Sequence, residues 1–157
     1  MLRFLMILVL GGVLLSTQPL ISQPPGVASG AAKPEPVAET RLVMAGLAKA
    51  NFDGLVRNLK QQPADTDTWV FIRGQSLLVA ESANLLMIRP PQNRQAQPLW
   101  LARAAEMREA GSKVARAAAK KEYPAAQTAL VGLANSCNRC HESFRVPVRV
   151  NPTDAPE

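Results

Sequence analysis

Residues 97–121 read QPLWLARAAEMREAGSKVARAAAKK. Trp100, Ala104, Met107, Gly111, Val114, Ala115 and Ala118 recur at steps of three and four, the period of one face of an α-helix packed in a bundle. Pro98 suits the first helical turn, where its missing N–H has no partner to lose. Lys120 and Lys121 suit the far end, where the helix dipole favours positive charge. The stretch predicts one complete helix whose inward seam is made largely of small residues.

The same period extends on both sides. A following helix is predicted from Tyr123-Pro124 to about Val146, before Pro147, with Ala126, Leu130, Leu133, Ala134, Cys137, Cys140, His141 and Phe144 on one face. Upstream, the cluster Asp65-Thr66-Asp67-Thr68 offers short polar side chains to cap a helix running to Ile88, which Pro90 and Pro91 stop. A first helix is predicted from Val37 to Gln61, carrying Leu42, Val43, Met44, Leu47, Phe52, Leu55, Val56 and Leu59, with Gly54 as its weak spot. Four amphipathic stretches of similar length, divided by prolines and almost free of strand signal, predict an all-α antiparallel four-helix bundle over 37–147. With so many alanines and glycines facing inward, such a bundle either packs its helices closely or leaves room for a large ligand.

The ends of the chain read differently. Arg3 followed by an apolar run from Phe4 to Leu15 has the layout of a secretory signal, expected to occupy 1–30 with cleavage after Ala28-Ser29-Gly30. The alternative is an uncleaved membrane anchor extending through Ile21, although the run falls short of the roughly 18 apolar residues of a convincing span. Residues 31–36 form a linker, the last part of a stretch rich in Pro, Gly, Ala and Ser, and 148–157 a C-terminal tail. The formal charge is +6 with no run of like charges and few aromatics. Nucleic-acid binding is not expected, because it calls for a basic stripe with stacking residues. The basic bias steers toward acidic partners.

Both cysteines of this exported chain lie three residues apart, in Cys137-Asn138-Arg139-Cys140-His141. That is the spacing of a c-type haem attachment site, in which two thiols add to the vinyl groups of one porphyrin edge and the adjacent imidazole reaches the iron. At about 100° per residue, positions 137, 140 and 141 share one face of a helix. Asn138 and Arg139 fall off that face and are expected only to tolerate the site. A zinc site wants four ligands, and the chain has two cysteines and one histidine. A thioredoxin-like pair sits at a helix N-terminus, whereas this one lies deep in the last helix. The reading is one covalent haem c held by Cys137 and Cys140, with His141 on the iron. With no second histidine, the far axial position falls to a methionine or stays open; Met44, Met87 and Met107 are the candidates outside the signal, each also readable as core filler.

At this point the chain resembles the cytochrome c-prime family, the class II c-type cytochromes. The resemblance rests on Cys137-Asn138-Arg139-Cys140-His141-Glu142-Ser143-Phe144-Arg145, similar to the family's Cys-x-x-Cys-His-x-x-Phe/Tyr-Arg ending, and on the Pro98-Leu99-Trp100 opening of the third helix. It spans the whole mature chain. It implies that the first helix presents either an apolar residue or a methionine to the iron's far side, and alignment of that helix puts Met44 at the deciding position as distal ligand. It also implies a basic residue beside the proximal histidine, here Arg145, and pairing of two chains through the first two helices, where Phe52, Val56 and Val70 serve either an interface or the core. Where the family carries an arginine near a haem propionate this chain has Thr40, with Arg41 one residue later, so that contact is displaced.

Taken together, the sequence predicts an exported, periplasmic monohaem cytochrome that carries electrons to and from redox partner proteins. The alternative is a five-coordinate protein that binds nitric oxide or carbon monoxide. A third reading is a small domain serving a larger oxidoreductase. No substrate pocket with acid or base groups is legible, so the chain is not expected to be an enzyme in its own right.

Overall fold

Asp65 shows how local chemistry divides the chain. Its backbone is extended, and its carboxylate accepts from the Thr68 amide and hydroxyl, each at 2.7 Å, satisfying a donor that the first turn would leave open. In the computed structural model, which describes residues 33–153, the helix that follows is one of four, and those residues contain no strand. Helix α1 starts as Thr40–Val43, passes through a π-helical stretch at Met44–Lys49 and resumes at Ala50–Asn58. Helix α2 is Thr66–Met87, α3 is Gln97–Ala119 after a 3-10 turn at Arg94–Ala96, and α4 is Tyr123–Ser143. The signal read at 1–30 lies outside the described residues, as do residues 31–32 and 154–157.

Boundaries differ from the sequence reading at several helix ends, the first helix stopping at Asn58 rather than Gln61 among them. Helix α1 begins at Thr40 rather than Val37, which stands 97% exposed beyond the bundle. Helix α4 ends at Ser143, not Val146, because Arg145 adopts a left-handed backbone (φ 56°) and the Val146 amide turns back to the His141 carbonyl at 2.8 Å. The same closure ends α3: Lys121 is left-handed (φ 57°), its amide donates to Ala118 and the Glu122 amide to Ala117. Both are Schellman closures, which satisfy carbonyls at the helix end and more often use glycine at the left-handed residue.

Bonds between helix ends define the topology. Arg89, past the end of α2, donates to the Ala38 carbonyl before α1; Trp100 at the start of α3 donates to Leu86 near the end of α2. Arg103 of α3 meets Ser143 at the end of α4, and Tyr123 at the start of α4 donates to Leu59 just beyond α1. In every pair the start of one helix meets the end of another, so neighbours run antiparallel.

Leu55, Ile72, Val79, Val114 and Leu133 fill the centre and are almost wholly buried. The small residues do not all open space. Helices α2 and α3 press together where a Cβ on Gly111 would stand 3.0 Å from the Ser76 carbonyl and 3.2 Å from Ala80. Phe52 and Val56 belong to the core, while Val70 is exposed. Gly54 is likewise a fitted position, since the buried Gln75 side chain lies across it and accepts from the Asn58 amide. Helix α1 packs along α2; among the described residues it makes no comparable backbone approach to α4. Tyr123 and Gln127 of α4 donate to the Leu59 carbonyl, at the end of the bundle away from Met44 and Cys137. Among the described residues no helix is long and apolar enough to cross a membrane.

Candidate functional site

The last two turns of α4 present Cys137, Cys140 and His141, all partly buried. Cys137 packs against the core. Burial pushes its thiol up to about 11, against an ordinary 9.0, and burial also raises that of Cys140, an effect that Arg103 opposes and Glu106 reinforces. Both groups are therefore held as neutral thiols at neutral pH. A redox-active Cys-x-x-Cys pair depends on the opposite, an environment that favours the thiolate.

His141 is oriented by the chain beyond its own helix. Its Nδ1 lies 2.8 Å from the carbonyl oxygen of Val148. A carbonyl can only accept, so Nδ1 is the donor, and in the neutral imidazole this places the lone pair on Nε2. Metal-bound histidines are held in this way, one nitrogen donating to a carbonyl or carboxylate while the other ligates.

The Val148 carbonyl reaches His141 because the left-handed turn at Arg145 sends the tail back along α4. Asn138 secures it from both sides, donating to the Val150 carbonyl at 2.9 Å and accepting from the Val150 amide at 2.8 Å. Arg149 pairs with Glu142 at 2.6 Å, and Val150 packs against the core. The sequence reading gave Asn138 no task. No local signal marks one; only the stop at Pro147 shows that a tail leaves the helix here.

On the α3 side, Glu106 accepts from Arg103 at 2.8 Å and from Arg139 at 3.3 Å, and Arg103 also donates to the Ser143 hydroxyl at 3.2 Å. Burial alone would raise the Glu106 carboxyl, but the hydrogen bonds and charges of the two arginines outweigh it and hold the group below its ordinary value. Arg139, like Asn138, thus has a specific partner. Trp100 meets Phe144 edge-on, with ring centroids 5.1 Å apart, and closes this end of the bundle.

The three methionines occupy distinct surroundings. Met107 is buried in the core, and Met87 is partly buried with its sulfur 4.0 Å from the Arg108 guanidinium. Met44 is partly buried, packs against the core from α1, and is the first residue of the π-helical stretch. Such wide turns inside helices are uncommon and concentrate at functional positions. Met44 and Cys137 both lie within about two turns of the end closed by Trp100 and Phe144. Arg41 is exposed and paired with Glu39 at 2.8 Å, and Arg145 is exposed at the helix stop.

Among the described residues no three His, Cys, Asp or Glu side chains are grouped to hold a metal ion. A groove of about 840 Å³ between α3 and α4 is lined by Glu106, Lys113, Thr128, Asn135 and Arg139, and its lining includes none of Cys137, Cys140, His141 and Met44. No family model, curated protein or solved structure matches the chain.

Proposed function

We propose that the chain is a monohaem c-type cytochrome, similar to the cytochrome c-prime family, that is exported and transfers electrons. The observation that carries the reading is the state of His141. With Nδ1 donating to Val148, the neutral imidazole has its lone pair on Nε2, on the same helix face as two partly buried neutral thiols. The donor set fits the group: porphyrin brings four nitrogens of its own, so the protein need supply only two thiols for attachment and one or two axial atoms. Bound there, haem supplies a one-electron couple and no proton chemistry is asked of the chain.

The chain's own residues then divide the work. Cys137 and Cys140 anchor the group and His141 takes the proximal side. Met44 takes the distal side, supported by its place at the head of the π-helical stretch and by the core burial of Met107. Glu106 with Arg103 and Arg139 forms a charged patch beside Cys140, and the net charge of +6 favours encounter with acidic redox partners.

Mass spectrometry of protein made in a haem-attaching periplasm tests the reading directly. One haem per chain, lost in Cys137→Ala with Cys140→Ala, is the expected result; a haem-free chain would sink it. Visible and paramagnetic resonance spectra then address Met44. Low-spin ferric iron that turns high-spin in Met44→Ala is expected, whereas high-spin wild-type iron would remove the methionine ligand and favour binding of nitric oxide or carbon monoxide.

A further inference from the structure

Residues 146–150 form no regular element, yet they are tied to α4 at four points. The Val146 amide meets the His141 carbonyl, the Val148 carbonyl meets the His141 ring, Arg149 meets Glu142, and the Val150 amide and carbonyl both meet the side chain of Asn138. Asn138 imitates a neighbouring strand, pairing donor with acceptor on a single residue. The bond to the His141 ring lies between these fixings. Only Arg149 separates Val148 from Val150, so the clamp at Val150 and the turn at Arg145 together fix where the Val148 carbonyl stands.

We infer that the C-terminal tail is a strap that positions His141, with Asn138 as its buckle, and that it makes the imidazole a stronger donor to the haem iron. The inference rests on the haem reading above and adds to it a residue, Asn138, and a segment outside the bundle. The physical cause is polarisation: a carbonyl that accepts from Nδ1–H shifts electron density toward Nε2, and second-sphere bonds of this kind raise ligand basicity. A more basic axial ligand stabilises ferric over ferrous iron and lowers the reduction potential. Asn138 is a positioning residue, since it touches the strap and not the iron.

The test uses the haem-loaded full chain, Asn138→Ala, a chain ending at Pro147, and the two changes combined. Amide exchange at Val150 reports the clamp, and protection there is expected to be lost in Asn138→Ala. Redox titration reports the effect on iron. Asn138→Ala is expected to shift the ferric-to-ferrous balance toward ferrous by about tenfold, or about 59 mV for a one-electron couple. Truncation is expected to give the same shift, and the combination no more than either alone, because both remove one bond. A merely structural role for Asn138 would move stability and leave the potential in place. Haem present with the potential unmoved in both variants overturns the strap and leaves the cytochrome reading standing. A chain that never acquires covalent haem overturns both.

Discussion

The hydroxyl of Tyr123 donates to the carbonyl of Leu59 at 3.2 Å, and this bond joins the first helix to the last at one end of the bundle. Gln127 supports it, donating to the tyrosine oxygen at 2.7 Å and to the same carbonyl at 3.4 Å. Towards the opposite end Met44 lies on α1, and Cys137, Cys140 and His141 lie on α4. Tyr123 thus ties the first helix to the last at the end of the bundle away from the candidate site. Tyr123→Phe keeps the ring and removes the donor, leaving Leu59 with the longer bond alone. Chemical denaturation is expected to show a loss of about 1 kcal/mol, the ordinary net worth of such a bond.

Gly111 and Gly74 make opposite predictions for the same substitution. Alanine is the better helix former by about 1 kcal/mol. At Gly74 the new methyl group meets nothing within 4 Å, so Gly74→Ala is expected to gain most of that amount. At Gly111 the methyl group meets the Ser76 carbonyl at 3.0 Å and Ala80 at 3.2 Å, both on a helix that cannot yield locally. Overpacking of this kind costs about 1–3 kcal/mol, enough to cancel the propensity gain and reverse it. Thermal melts of the two variants are therefore expected to move in opposite directions.

Much of this was legible in the chain. The three-and-four spacing of Trp100, Ala104, Met107, Gly111, Val114 and Ala118 became the inner face of α3, and Asp65 caps α2 where the polar cluster stood. Periodicity reports burial, however, and not which partner a face meets. Small residues at 111 and 118 were compatible with either close packing or an opening, and only the approach of Ser76 shows that Gly111 belongs to a tight seam. The π-helical stretch at Met44–Lys49 left no mark, because a locally wider turn does not disturb the apolar pattern enough to be seen. Asn138 was missed for a different reason: its partner is Val150, in a tail without periodicity, reached through a left-handed residue that is arginine rather than glycine.

That departure is itself testable. Lys121 and Arg145 both sit at left-handed closures, where a side chain costs about 1 kcal/mol or more against glycine. Lys121→Gly relieves that cost, partly offset by the greater freedom glycine gives the unfolded chain. A net gain of about 0.5 kcal/mol is expected from equilibrium unfolding. Lys121→Val, with a β-branched side chain in the same conformation, is expected to lose stability.

Glu106 supplies the pH dependence on the α3 face. Its folded value lies below the ordinary 4.5 because the bonds and charges of Arg103 and Arg139 exceed the opposing effect of burial. A depressed carboxyl adds stability that is complete above its unfolded value and disappears as pH falls through the folded one. Wild type and Glu106→Gln are expected to differ at neutral pH and to converge as pH falls below the folded value of Glu106. The difference is expected to be small and to shrink in salt, since the groups are partly exposed to solvent. Persistence of the full difference in acid would mean that Glu106 acts by shape rather than charge.

On the proposed haem reading, the three methionines separate stability from ligation. Met107 is 5% exposed in the core, so Met107→Ala leaves a cavity and is expected to lose about 2–5 kcal/mol, with iron spectra unchanged in the folded fraction. Met87, partly buried beside Arg108, is expected to cost less on truncation and likewise to leave the spectra alone. Met44 is also only partly buried, so Met44→Ala is expected to be mild in denaturation yet to change the spin state of the iron. The spectroscopic and stability orders of the three variants should therefore disagree. If Met107→Ala or Met87→Ala alters the spectrum and Met44→Ala does not, the distal ligand has been assigned to the wrong helix.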